Sequence, residues 1–144
     1  MAQVSASSSI TLTATPEQAL GALTDYETMR PRILPQQYRD YQVLEGGQGE
    51  GTVAQWTLQA TEKRSRNVKA TVTVSGNTIT ERDANSSLVT TWTVAPSGAG
   101  SHGHHLHRWK GAGGIGGFFE RTFAPLGLRR IQEATLANLQ RELA

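Results

Sequence analysis

Residues 111–143 read GAGGIGGFFERTFAPLGLRRIQEATLANLQREL, and this stretch decides the fold. A glycine-rich segment opens it, an aromatic patch follows, and a long amphipathic pattern ends it. Ile115, Phe118, Phe119, Thr122, Phe123 and Leu126 fall on one side of a helix. Leu128, Ile131, Thr135 and Leu139 continue the spacing, but the stripe has moved around the axis. Pro125 and Gly127 mark the change. Proline removes a helical hydrogen bond and clashes with the preceding turn, so a kink is expected there. A helix this long needs an apolar surface to lie on. Almost everything before it reads as short strands, so that surface is a sheet.

The strands follow from period two. Val4, Ala6, Ser8, Ile10 and Leu12 share one face of the first. Thr15-Pro16-Glu17-Gln18 then signals a helix start, with Thr15 as cap, Pro16 in the first turn and Gln18 closing a capping box. That helix carries Ala19, Leu20, Ala22 and Leu23; Met29, Ile33 and Leu34 suggest a second short one. Tyr38 to Leu44 is a strand, and Gly46 to Gly51 a turn. Further strands place Ala54, Trp56, Leu58 and Ala60 together, then Arg66, Val68, Ala70, Val72 and Val74. A short strand surrounds Ile79. Leu88, Thr90, Trp92 and Val94 share the next face, and Ser101 to Lys110 forms the last strand. Each strand shows one apolar face and one polar face, so the sheet is covered on one side and wet on the other.

With 144 residues the expectation is a single domain spanning 1–144. Hydrophobic residues make up 37% and charged residues 18%, too apolar for disorder and too polar for a membrane protein. No apolar run approaches a membrane span, so stable membrane insertion is not expected. The opening MAQVSASSSITLTA lacks a basic region and a continuous apolar region, so no signal peptide is read and a cytoplasmic setting is expected. There are no cysteines, which excludes disulfides, zinc–thiolate sites and cysteine nucleophiles. Net charge is only +2. Lys63, Arg64, Arg66 and Lys69 form the densest basic group, without aromatic interleaving; a solvated hairpin end is preferred to a nucleic-acid site.

Gly111-x-Gly113-x-x-Gly116 matches a dinucleotide fingerprint between a strand and a helix. The fingerprint requires a second parallel strand after that helix, and none follows here. The glycines are therefore read as a sharp turn off the sheet. His102, His104, His105 and His107 lie in one strand. Period two groups His105 with His107 and Trp109, and His102 with His104, Leu106 and Arg108. Two imidazoles on one face can share a metal ion, but no further ligands are apparent, so no metal is expected. Imidazole does titrate near neutral pH, which makes His105 and His107 the candidates for acid–base work. Trp56, Trp92, Trp109, Phe118, Phe119 and Phe123 are the interior aromatics. Arg66 shares the parity of four apolar residues. A buried unpaired guanidinium is costly, so a place at the sheet's open end, in water, is preferred to an acidic or carbonyl partner inside.

The order of elements resembles a known family. The leading strand, the Thr-Pro-Glu helix start and Leu23-Thr-Asp-Tyr-Glu-Thr-Met-Arg-Pro31-Arg-Ile-Leu-Pro35 look like the opening of the START/Bet v 1-like superfamily, which includes the polyketide cyclase/dehydrase and lipid-transport group. The segment from Trp109 through Gly127-Leu128 resembles the last strand and C-terminal helix of small bacterial members. The resemblance implies an α+β helix-grip fold. A curved antiparallel sheet of six to seven strands wraps a long C-terminal helix, with two short helices after the first strand. It also implies a cavity between sheet and helix. The last strand points His105, His107 and Trp109 inward, where apolar residues are commoner in the family, so a polar patch is expected.

Three functions remain open. The first is binding of a hydrophobic or aromatic small molecule, lipid-, polyketide- or quinone-like, against Trp56, Leu58, Trp92, Trp109, Phe118, Phe119 and Phe123, with Arg66, His105 or His107 orienting a polar group. The second is a polyketide cyclase/dehydratase-type enzyme using a pocket histidine. The third is a quinone or protein chaperone module. No cofactor and no nucleic-acid partner are expected; the chain is read as a monomer or homodimer.

Overall fold

The computed structural model of the chain describes residues 3–61, 64–110 and 125–143. Alternating patterns become seven strands: β1 (Gln3–Leu12), β2 (Tyr38–Glu45), β3 (Val53–Thr61), β4 (Arg64–Ser75), β5 (Thr78–Asp83), β6 (Val89–Ser97) and β7 (Gly100–Lys110). Helices α1 (Pro16–Leu23) and α2 (Met29–Ile33) follow β1, and α3 (Pro125–Leu143) comes last. The strands form one sheet in the order β1-β7-β6-β5-β4-β3-β2, with every neighbouring pair antiparallel. This is the helix-grip architecture.

The first helix starts as its sequence dictates. Gln18 N–H donates to Thr15 Oγ1 at 3.2 Å, and Thr15 N–H donates to Gln18 Oε1 at 2.9 Å. The reciprocal box satisfies two backbone donors that a bare helix end would leave unpaired. Helix α2 has no such cap and spans five residues. It is held from outside: Asn138 Nδ2 on α3 donates to Ile33 O at 3.0 Å.

One inward face of the sheet carries the core. Ala6, Leu12, Ala54, Trp56, Leu58, Val68, Ala70, Val72, Ile79, Trp92, Val94 and Trp109 are buried along it. From α3, Leu128, Ile131, Leu136 and Leu139 join the same cluster. Helix α3 runs chiefly against β1 and α2. The expected kink joins this helix to residues 115–124, which lie outside the described residues, as do Phe118, Phe119 and Phe123.

Edge strand β2 is the irregular one. Its pairing with β3 slips between Arg39 and Gln42 and again between Val43 and Glu45, and Asp40 adopts φ 55°. The turn after it, Gly46 to Gly51, folds back on the start of the helical region. Tyr26 N–H donates to Gly47 O at 2.9 Å, and Gly49 N–H donates to Thr24 O at 2.9 Å. Gly47 has φ 132°, and a Cβ there would meet the Glu27 side chain at 2.5 Å. The glycine therefore lets the turn clamp Tyr26 in place.

Gly100 illustrates the same close approach elsewhere. A Cβ at this position would lie 2.1 Å from Leu12 O. Gly100→Ala is expected to lower the unfolding free energy by about 1–3 kcal/mol, because backbone must shift to admit the methyl. Gly21, in α1, has nothing within 4 Å of its notional Cβ. Gly21→Ala is expected to raise stability by about 1 kcal/mol through helix propensity. Urea denaturation checks both; equal effects of the two substitutions would contradict this reading.

Candidate functional site

The register of the sheet brings polar side chains together on its buried face. Across the strands, Ala6 pairs with His107, His107 with Thr90, Thr90 with Glu81, and Glu81 with Val72. The next row runs Ser8, His105, Trp92, Ile79 and Val74. Glu81, Thr90, His105 and His107 are all buried. Asp83 and Ser101 are further buried polar residues of β5 and β7.

Helix α2 supplies the counter-charge. Arg30 and Glu81 are each 3% exposed, and Arg30 Nη2 lies 2.8 Å from Glu81 Oε2. Tyr26 completes the group: its hydroxyl donates to Glu81 Oε2 at 2.5 Å and accepts from Arg30 Nη2 at 3.0 Å. Arg30 Nε donates to Leu23 O at 2.8 Å. The guanidinium also lies 4.3 Å from the centre of the Tyr26 ring and 4.8 Å from that of Trp92. Burial is the largest influence and works against the Arg30 charge, but Glu81, Tyr26 and Tyr41 together outweigh it, and the Arg30 pKa is raised. Burial, reinforced by Glu81, pushes the Tyr26 phenol well above its ordinary range, so it stays protonated and donates.

The two inward histidines have different surroundings. Gln132 on α3 donates through Nε2 to Ala6 O at 2.9 Å, and the same nitrogen lies 2.7 Å from His107 Nδ1. Ser8 Oγ donates to Gln132 Oε1 at 3.0 Å. The Ala6 carbonyl can only accept, so the amide orientation is fixed and His107 Nδ1 is an acceptor. The His107 proton therefore sits on Nε2. Burial lowers the His107 pKa to about 3. His105 stacks on Trp92, with ring centres 3.5 Å apart and planes 14° apart. Burial first, then His107 and Arg30, depress its pKa well below the ordinary value. Both imidazoles are thus neutral at pH 7. His105 Nδ1 and Trp92 Nε1 are buried without a hydrogen-bond partner among the described residues. Each such atom costs about 1–3 kcal/mol.

A void of about 10 Å³ lies beside these groups, lined by Arg30, Leu34, Tyr38, Tyr41, Trp56, Leu58, Glu81, Leu88, Thr90, Trp92, His105 and His107. It is the size of a single water site. Tyr41 stacks on Trp56 at 6.1 Å and 18°, and Tyr38 meets Trp56 at 6.1 Å with the rings tilted by 56°. A second concavity of about 400 Å³ is lined by Asp40, Gln55, Trp56, Thr57, Asn67, Val68, Lys69 and Asn85. Six of those eight side chains are polar, and Asp40, Asn67, Lys69 and Asn85 are exposed, so it is a wet groove. The buried void, although smaller, is where apolar walls exclude water around polar atoms.

Of the residues singled out from the sequence, Trp56, Leu58, Trp92, His105 and His107 surround the void. Trp109 is buried on β7 but does not line it. Arg66 also stands apart, at the start of β4, with Nη2 donating to Asn85 O at 2.8 Å. Sequence reasoning missed Tyr26, Arg30 and Glu81. The signals were present: Tyr26, Arg30 and Ile33 follow i, i+4, i+7, and Glu81 shares the parity of Ile79. Among the described residues, no cluster of three or more histidine, aspartate or glutamate side chains is arranged to hold a metal. No described helix is long and apolar enough to cross a membrane.

Removing one partner of the ion pair leaves the other charge buried. Glu81→Leu is expected to lower the unfolding free energy by about 3–5 kcal/mol. The double variant Arg30→Met/Glu81→Leu is expected to be more stable than Glu81→Leu alone. A double-mutant cycle in urea measures this; additive losses would contradict the pairing.

Comparison with known proteins agrees with the architecture. The family described as polyketide cyclase / dehydrase and lipid transport matches residues 3–144. The NMR solution structure of the protein KanY (ms6282) is 59% identical, with 99% of each chain covered and a TM-score of 0.91. Major latex-like protein 151 of Panax ginseng shares the fold at 11% identity, covering 98% of this chain and 97% of its own, with a TM-score of 0.74. One half of the di-domain ARO/CYC protein BexL does so at 15% identity, with 98% of this chain and 50% of that one covered and a TM-score of 0.72. No curated protein matches the chain. With all but its first two residues matched, the chain belongs to the polyketide cyclase / dehydrase and lipid transport family.

Proposed function

We propose that the chain binds a hydrophobic or aromatic small molecule in the interior space between its sheet and helices. The observation that carries this reading is the pair of unpartnered buried atoms, His105 Nδ1 and Trp92 Nε1, on two side chains that wall an interior void. Protein interiors rarely leave such groups unpaired, and a ligand or water that pairs them recovers what folding forfeits. Trp56, Leu58 and Leu88 supply the apolar part of the same wall. The protein names among the structural relatives, including a di-domain ARO/CYC, are compatible with a polyketide-like ligand.

A ring system is far larger than 10 Å³, so binding requires the wall to part. The least constrained section is the β2 side. Tyr38 and Tyr41 are half-buried on an edge strand whose pairing slips twice. Few ladder hydrogen bonds oppose local opening there. Phe118, Phe119 and Phe123 remain the proposed aromatic contribution from the segment before α3.

A second reading shares the same atom. In a cyclase- or dehydratase-type enzyme, the neutral imidazole of His105 or His107 would be the proton acceptor. His105 is the better placed, because its Nδ1 is uncommitted whereas that of His107 is held by Gln132. A chaperone surface is the least supported. It needs an exposed apolar patch, and among the described residues Leu44 is the one large hydrophobic side chain that is exposed.

Titration with 2-methylnaphthalene, followed by two-dimensional NMR, tests the binding reading. The expected result is a saturable 1:1 interaction that shifts the indole N–H of Trp92 and ring protons of His105 and Tyr41. Absence of these shifts up to the solubility limit of the probe would overturn it. Loss of turnover of a polyketide-like substrate in His105→Gln, with binding retained, would favour the enzymatic reading.

A further inference from the structure

The polar end of the void is electrically complete. Among the described residues its one cation, Arg30, is paired with Glu81 at 2.8 Å, and Nε and Nη2 are already donating to Leu23 O and Tyr26 Oη. Tyr26 has given its proton to the Glu81 bond. From β7 come His105 and His107, both held neutral by burial. From β6 come Thr90 and Trp92, and neither carries charge. Asp83, the other buried carboxylate of β5, is occupied in its turn by Lys69 N–H, Asn85 N–H and Ser86 Oγ.

What remains open is a hydrogen-bonding imbalance. A neutral imidazole presents one donor and one acceptor whichever nitrogen holds the proton. His105 Nδ1 has no hydrogen-bond partner among the described residues, and Trp92 Nε1 adds an unused donor. A ligand carboxylate or ketone offers acceptors alone. A ketone can accept from His105 only in the tautomer that carries its proton on Nδ1, and a carboxylate would also bring an uncompensated charge into a dry site. A hydroxyl both donates and accepts. It is the smallest group that answers the His105 acceptor and a neighbouring N–H together, and it fits a space of about 10 Å³. The flat His105–Trp92 stack beside it favours a planar body in line with the hydroxyl.

We infer that the site seats the uncharged hydroxyl of a flat aromatic ligand, a hydroxyarene, which donates to the imidazole of His105, and that it discriminates against the carboxylate and keto analogues of the same body. The inference rests on the small-molecule binding proposed above and sharpens it. It places a phenol- or hydroquinone-type ligand ahead of a quinone or a fatty acid. A site built to pair a hydroxyl rejects analogues lacking it more strongly than an apolar pocket rejects a missing methyl.

Four probes with one ring system test this at pH 7 by calorimetry or NMR: 2-naphthol, 2-naphthoate, 2-acetylnaphthalene and 2-methylnaphthalene. The naphthol is expected to bind about tenfold more tightly than the naphthoate and the methylnaphthalene, the worth of one good buried hydrogen bond, with the ketone, which answers one tautomer alone, in between. In His105→Phe the ratio of naphthol to methylnaphthalene affinity should fall to near one. In His105→Gln, which keeps an acceptor and a donor, part of the ratio should return; a folded NMR spectrum of either variant suffices for the comparison. If methylnaphthalene binds but naphthol gains nothing, or if naphthoate or the ketone binds as tightly as naphthol, the head-group inference falls alone. An undiminished naphthol advantage in His105→Phe overturns it as well. If none of the four binds, it falls together with the binding proposal.

Discussion

The buried contact between Arg30 and Glu81 is the constraint on which the rest of the interior depends. Two opposite charges, each 3% exposed, sit between a five-residue helix and the middle of a seven-stranded sheet. Removing them from water is expensive, and only close pairing with further hydrogen bonds offsets that cost. The structure meets the requirement through Tyr26, which binds both partners, and through the Leu23 carbonyl, which takes Arg30 Nε. Helix α2 is too short to hold itself, so this polar contact and the Asn138 bond to Ile33 fix where it lies. The Gly46–Gly51 turn and the Tyr41 hydroxyl, which donates to Tyr26 O at 2.6 Å, secure the same corner.

Two consequences follow for function. Because Arg30 and Glu81 neutralise one another, the described residues of the cavity offer a ligand no free charge. Because their contacts are internally satisfied, the open hydrogen-bonding capacity shifts to the neighbouring His105–Trp92 stack. The contrast with His107 is instructive. Both histidines are buried on one face of β7, two residues apart, yet α3 provides Gln132 for His107 and nothing described for His105. One imidazole is part of the frame that ties β1, β7 and α3 together; the other is available.

Much of this fold was legible in the chain. Period two assigns the inward faces of β3, β4, β6 and β7 residue by residue, because a pleated strand cannot bury one parity without exposing the other. The Thr15–Gln18 box was readable because capping is local chemistry. The polar cluster was not, since its members come from separate elements. Tyr26, Arg30 and Ile33 share a helical spacing and Glu81 the parity of Ile79, but spacing places a residue on a face and does not show that Arg30 and Glu81, from separate elements, meet. Only the β5–β6–β7 register shows that Glu81, Thr90 and His107 share a row. Arg66 drew notice for sharing an apolar parity, and its parity did not bring it to the void. The aromatic trio Phe118, Phe119 and Phe123 falls outside the described residues.

The central claim is that the cavity ends in a neutral, uncommitted imidazole beside a self-compensated ion pair. Nitrogen-15 NMR of the histidine rings at pH 5 tests it most directly. The account predicts that His105 and His107 both give neutral-imidazole signals there, below the ordinary histidine range near 6.5. His107 should show its proton on Nε2, and only His105 should respond when 2-naphthol is added. An imidazolium signal from either residue at pH 5, or a response confined to His107, would contradict it.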